Sequence, residues 1–125
     1  MVNLTPQKLN THLSAVHFRV NMAGQASETA ISVLRYKTRR PLDAMAGKGW
    51  IQLVITNLKD AQRYLEGAHD PQFNDFIRYL SNLISFYQEK LKQLNILNKE
   101  KIAQDIYDHQ GYLLAADPYI GMMGN

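Results

Sequence analysis

At 125 residues the chain is long enough for one hydrophobic core and short for two, and 46% apolar with 20% charged residues exclude wholesale disorder. The absence of Cys excludes disulfides, thiolate metal sites and cysteine nucleophiles. Fourteen Lys and Arg stand against eleven Asp and Glu, a net +3, and this excess is concentrated in Arg35–Trp50, which sets five cations against Asp43 alone.

The first third, from Thr5-Pro6 onward, supports two readings. Leu9, Leu13, Val16, Val20, Ala23, Ala30 and Leu34 fall on a four-three spacing, with Ser27 filling the gap, as in one long helix or a helix broken at Gly24. Val16-His17-Phe18-Arg19-Val20-Asn21-Met22 alternates apolar with polar, and Ile31-Ser32-Val33 is followed by Arg35-Tyr36-Lys37, so a β-hairpin over residues 15–37 competes. The helical spacing covers about twenty-six residues against seven for the alternation, and helix is the favoured expectation.

Residues 35–49 read as a basic junction. Arg35, Lys37, Arg39, Arg40 and Lys48 are candidate polyanion contacts, with Tyr36 or Trp50 as stacking surfaces for a nucleic acid. Pro41 reads as a turn and Gly47-Lys48-Gly49 as a hinge or an anion contact before a helix. No Walker spacing accompanies those glycines. Trp50 joins the periodicity of the next segment, Leu53, Val54, Leu58, Ala61, Tyr64 and Leu65, which ends at Gly67, and is expected in the core.

Asp70-Pro71 opens a second amphipathic helix: the carboxylate caps, and proline at the first position has no N–H to lose. Its apolar residues, Phe73, Phe76, Ile77, Leu80, Leu83, Ile84, Tyr87, Leu91 and Leu94, hold steps of three and four. Asn95 and Asn98 mark a bend. A third helix then runs from about Asn98 to Ala116 on Ile102, Ala103, Ile106, Tyr107, Leu113 and Leu114, weakened at Gly111 and expected antiparallel to the second. The hairpin of residues 50–94 is the expected centre of the fold. Residues 117–125 read as a loose tail in which Tyr119, Ile120, Met122 and Met123 could dock elsewhere.

Catalytic chemistry finds little to stand on. Asp105 and His109 share a helix face with Asp108 beside them, but two ligands do not make a metal site. Glu66-Gly67-Ala68-His69 imitates a di-iron motif once, where two copies are required. No Gly-x-Ser-x-Gly elbow is present. No metal, cofactor, small-molecule substrate or enzymatic activity is expected. No apolar run approaches the roughly 18–20 residues of a membrane span, and Met1-Val2-Asn3-Leu4-Thr5-Pro6 lacks the basic-then-apolar pattern of a leader, so a cytoplasmic location is expected.

The sequence therefore predicts a single all-α domain over residues 1–125, a small bundle of three to five helices, with α+β as the alternative. Its expected role is a non-enzymatic protein–protein interaction module, an adaptor, chaperone-like or assembly factor that associates with itself as a homodimer or with another protein. Tyr79, Phe86, Tyr107, Tyr119, Met122 and Met123 are the candidate interface, because aromatic rings with a polar tip and adaptable methionines suit half-wet contacts. The alternative is a basic accessory protein on nucleic acid or another polyanion.

Overall fold

A computed structural model of the protein describes residues 6–36 and 41–123, with side chains from Thr11 onward apart from His12. Helix α1 spans Pro6–Leu34, α2 Pro41–Gly67, α3 Asn74–Gln93, α4 Lys99–Leu114 and α5 Ala116–Met123, with one 3-10 turn at Pro71–Phe73. Cross-contacts set the direction of each helix. Leu34 lies against Gly47, Gln62 reaches Ile77 and Ser81, Lys90 reaches Asp105 and Lys99 reaches Leu34. Each neighbour is thus antiparallel to the one before, and α4 returns to α1 to close a four-helix bundle, with α5 folded back onto α1.

The four-three spacing of the first third is a buried stripe: Leu13, Val16, Val20, Ala23, Ser27, Ala30 and Leu34 all face the core. The β-hairpin expected as the alternative does not form, since residues 15–34 are helical, and no strand occurs among the described residues. The helix passes through Gly24 with an ordinary negative φ. The alternation at Val16–Met22 has no structural counterpart; Val16 and Val20 bury as helix neighbours while Phe18 points outward.

Helix α2 begins nine residues earlier than the apolar periodicity suggests. Pro41 is its first residue, where a missing N–H is harmless, so residues 41–49 of the expected junction are helix. Gly47 is neither hinge nor phosphate loop. A Cβ there would stand 2.2 Å from Leu34 Cδ2 and 2.8 Å from Cγ, so the glycine lets α1 and α2 approach where Leu34 crosses. The α1–α2 pair is the most extensive contact of the bundle, and it, rather than the hairpin of residues 50–94, forms its centre.

Asp70 accepts a hydrogen bond from the Gln72 N–H at 3.1 Å, and Pro71 opens the 3-10 turn that leads into α3. His69 just before it takes φ 51°, the left-handed value that ends α2. The bend after α3 is built by its two asparagines. Asn95 Oδ1 accepts from the amides of Leu97 and Asn98, while Asn98 accepts from the Asn95 amide and donates to the Gln93 carbonyl. Helix α4 continues through Gly111 to Leu114. Residues 117–123 of the expected loose tail are helical, as part of α5, in which Ala116 and Ile120 are buried.

Among the buried polar side chains, Lys99 and the Ser27–Tyr87 pair link helices across the core. Lys99, 1% exposed, donates from Nζ to the Leu34 carbonyl at 3.2 Å and to the Tyr36 carbonyl. It thereby finishes the C-terminus of α1, which has no basic residue in its own last turn. Tyr87, fully buried on α3, meets the Ser27 hydroxyl at 3.4 Å across the bundle. Burial pushes its phenol up to about 12, with the Ser27 hydrogen bond acting in the opposite direction. The folded state thus holds this proton more tightly than the unfolded chain, whose phenol titrates near 10. Its stabilisation is complete below about pH 10 and falls as pH rises through 12. Urea midpoints taken from pH 8 to 12 should decline above pH 10 more steeply for the native chain than for Tyr87→Phe.

Candidate interaction surfaces

Of the five candidate polyanion contacts, Lys37, Arg39 and Arg40 lie outside the described residues. Arg35 is exposed just past α1, with its guanidinium 5.0 Å from the centre of the Tyr107 ring on α4, a cation–π distance. Lys48 is exposed inside α2, so no helix N-terminus stands beside it.

The candidate interface residues divide. Tyr79 and Tyr119 meet beside the buried Phe76: Tyr119 stacks on Phe76 at 4.7 Å and Tyr79 lies 5.8 Å from Tyr119. Phe86 lies further along α3, where His109 stacks on it at 3.7 Å with an interplanar angle of 7°. The Tyr119 contacts join α3 to α5 and the His109 stack joins α3 to α4, and the α3–α4 seam is closed further by polar and aromatic side chains. The Tyr79 hydroxyl donates to the Tyr112 carbonyl. Lys90 pairs with Asp105 at 3.0 Å and lies 5.5 Å from the Phe86 ring centre. Met123 is half-buried against the core, Met122 is exposed on α5, and Tyr107 is exposed under Arg35. Helix α4 lies antiparallel to α3, as expected, and packs more extensively still on α1.

Titratable groups along this seam are structural in their bonding. The Lys90 hydrogen bond, helped by Lys101 and opposed by burial, holds the Asp105 carboxyl below its ordinary range. Burial, with the charge of Lys90 adding to it, holds His109 below its usual value, so the ring is neutral at pH 7. Asp105 therefore serves two lysines, and His109 serves the stack on Phe86. Among the described residues, no three His, Cys, Asp or Glu side chains gather where they could hold a metal ion. An open cleft of about 410 Å³ lies between Arg19, Asp60, Arg63, Tyr64 and Gly67. Its charges are already engaged: Asp60 stands 3.2 Å from Arg63 and 3.8 Å from Arg19, and Arg19 also donates to Asn57.

The most distinctive surface is one the periodicity assigned to the core. Val54, Leu58, Ala61 and Leu65 are buried as expected, but Trp50 is 37% and Leu53 39% exposed. Leu42 and Met45, one turn and more upstream, are 68% and 64% exposed. At 100° per residue, Leu42, Met45, Ala46, Gly49, Trp50 and Leu53 fall within about 80° of one line along the helix. That line lies opposite the face buried by Gly47, Ile51, Val54 and Leu58. The first four turns of α2 are thus apolar on both sides, with α1 and α3 covering only one. The readable signal was the scarcity of polar residues over Pro41–Leu58, where an amphipathic helix should show a polar face.

Among the described residues, no helix is long and apolar enough to cross a membrane. The fold is a small all-α bundle with an uncovered apolar helix face. No known protein family, curated protein or solved structure matches the chain.

Proposed function

We propose that the protein is a non-enzymatic helical protein–protein interaction module that works through the outer face of α2. The observation that carries this reading is the uncovered row Leu42, Met45, Trp50 and Leu53. Single exposed apolar side chains are ordinary, whereas a row of them along one helix is the kind of patch that marks a contact surface. Aromatic and methionine side chains are also those enriched at interface centres. Adaptor, chaperone-like and assembly roles all use such a face in helix-to-helix recognition. The half-buried aromatics Tyr79, Phe86 and Tyr119 are better understood as the closure of α3 against α4 and α5.

The test is capture from the source cell on immobilised protein at low salt, with and without nuclease, compared between the native chain and Met45→Glu with Leu53→Glu. Proteins retained through nuclease treatment and lost with the double variant are the expected result. Retention that nuclease abolishes would instead favour a polyanion partner at Arg35, Lys37, Arg39, Arg40 and Lys48. Equal capture by native and variant protein would remove α2 from the contact.

A further inference from the structure

The outer face of α2 is nearly palindromic in side-chain size. Reading inward from its two ends, Leu42 answers Leu53, Met45 answers Trp50 and Ala46 answers Gly49. Each pair is centred on the same point, midway between Gly47 and Lys48. Large residues stand at both ends and the smallest two at the middle. A two-fold antiparallel pair centred there brings the members of each such pair together, since residue i of one copy meets j of the other and j meets i.

We propose that a second copy of this chain covers the face, its α2 lying antiparallel to the first about a two-fold axis at Gly47–Lys48. This rests on the reading of the α2 face as the contact surface. In that arrangement Leu42 packs on Leu53 of the second copy at each end. Ala46 and Gly49 meet near the axis, where the absence of bulky side chains lets the helices approach. Met45 of one copy and Trp50 of the other close the two sides at the same level.

Charge selects the antiparallel direction. No ionisable side chain lies in the row itself, and Asp43, the one acid near it, is buried. A parallel pair would bring together the two α2 N-termini, each preceded in sequence by Lys37, Arg39 and Arg40. The antiparallel pair sets those N-termini about 20 Å apart, more than two Debye lengths at physiological salt. Area sets the strength. The exposed parts of the six residues amount to about 500 Å² per copy, or on the order of 1,000 Å² in the pair, at the lower bound of specific interfaces. A dimer in the micromolar range, populated by concentration, is the corresponding expectation.

Sedimentation velocity on the purified full chain from about 5 to 500 μM tests it. The expected result is a mass rising from 14.3 kDa toward twice that value. Leu42→Lys and Leu53→Glu should each shift the midpoint at least tenfold upward. The double variant should recover much of the loss, because each Lys then faces a Glu of the other copy; a parallel pair would face Lys with Lys and recover nothing. Circular dichroism verifies that each variant is folded, and should Leu53→Glu disturb the bundle, the more exposed Leu42→Lys decides alone. A monomer at every concentration, a dimer indifferent to both single variants, or a double variant no better than the singles would overturn the pairing. A chain that stays monomeric while the capture experiment remains sensitive to the α2 face would sink this proposal and leave the interaction reading standing.

Discussion

Replacing Lys99 by Ala is expected to lower the stability of the fold by about 3 kcal/mol, read as a fall in urea midpoint with an unchanged slope. Two losses combine. The four-carbon stem is buried at the junction of α1 and α4, so its removal leaves a void like that of a core aliphatic truncation. The ammonium also supplies the donor for the carbonyls of Leu34 and Tyr36, at the negative end of the α1 dipole. Lys99→Met separates the two effects, because it keeps most of the stem and deletes only the charge. Desolvating an ammonium is itself costly, and apolar replacements of buried charges are sometimes neutral. Here the acceptors stay behind, and about 2 kcal/mol of loss is expected for Met. A Met variant as stable as the native protein would show that the bonds do no more than offset the burial of the charge.

The second large effect is expected at Gly47. Inside an open helix, Gly→Ala stabilises by about 1 kcal/mol through backbone entropy. Gly24, where an added Cβ would meet nothing within 4 Å, should show that gain. Gly47→Ala should instead cost about 1–2 kcal/mol, because the methyl enters space held by the fully buried Leu34. The decisive measurement is the double-mutant cycle with Leu34→Ala. On the truncated background the new methyl should be tolerated or favourable, giving a coupling of about 1 kcal/mol or more. An uncoupled pair would mean that α1 and α2 can separate there without cost.

Local chemistry made much of the fold legible. The stripe from Leu13 to Leu34 pointed to helix rather than hairpin, Asp70-Pro71 to a helix start that the structure realises as a 3-10 turn leading into α3, and Asn95 with Asn98 to the bend after it. In each case the determining interaction lies within a few residues. What could not be read depends on elements distant in the chain. Gly47 looks like punctuation until Leu34 is known to cross it. Lys99 looks like an ordinary cation at a helix start until the end of α1 is placed beneath it. Trp50 and Leu53 fit a core periodicity as well as any neighbour, and only the positions of α1 and α3 show that this flank of α2 remains uncovered. The uncovered face was missed for a related reason: periodicity asks which residues could be buried, and here too many qualified for the partners available. Residues 117–123 looked loose because Asp117-Pro118 suggests a stop, yet proline in the first turn of a new helix serves equally well.

The hydrogen bond from Lys99 to Leu34 spans 65 positions. During synthesis, the last turn of α1 therefore emerges long before the group that finishes it, and must wait while α2, α3 and the asparagine bend are made. Until then the carbonyls of Leu34 and Tyr36 lack that donor, although the stretch between Ile31 and Tyr36 has its own backbone bonds, Arg35 N–H to Ile31 and Tyr36 N–H to Val33, and the packing of Leu34 on α2. The arrival of α4 thus does more than add a fourth wall to the bundle: it completes the first helix with a residue from near the other end of the chain.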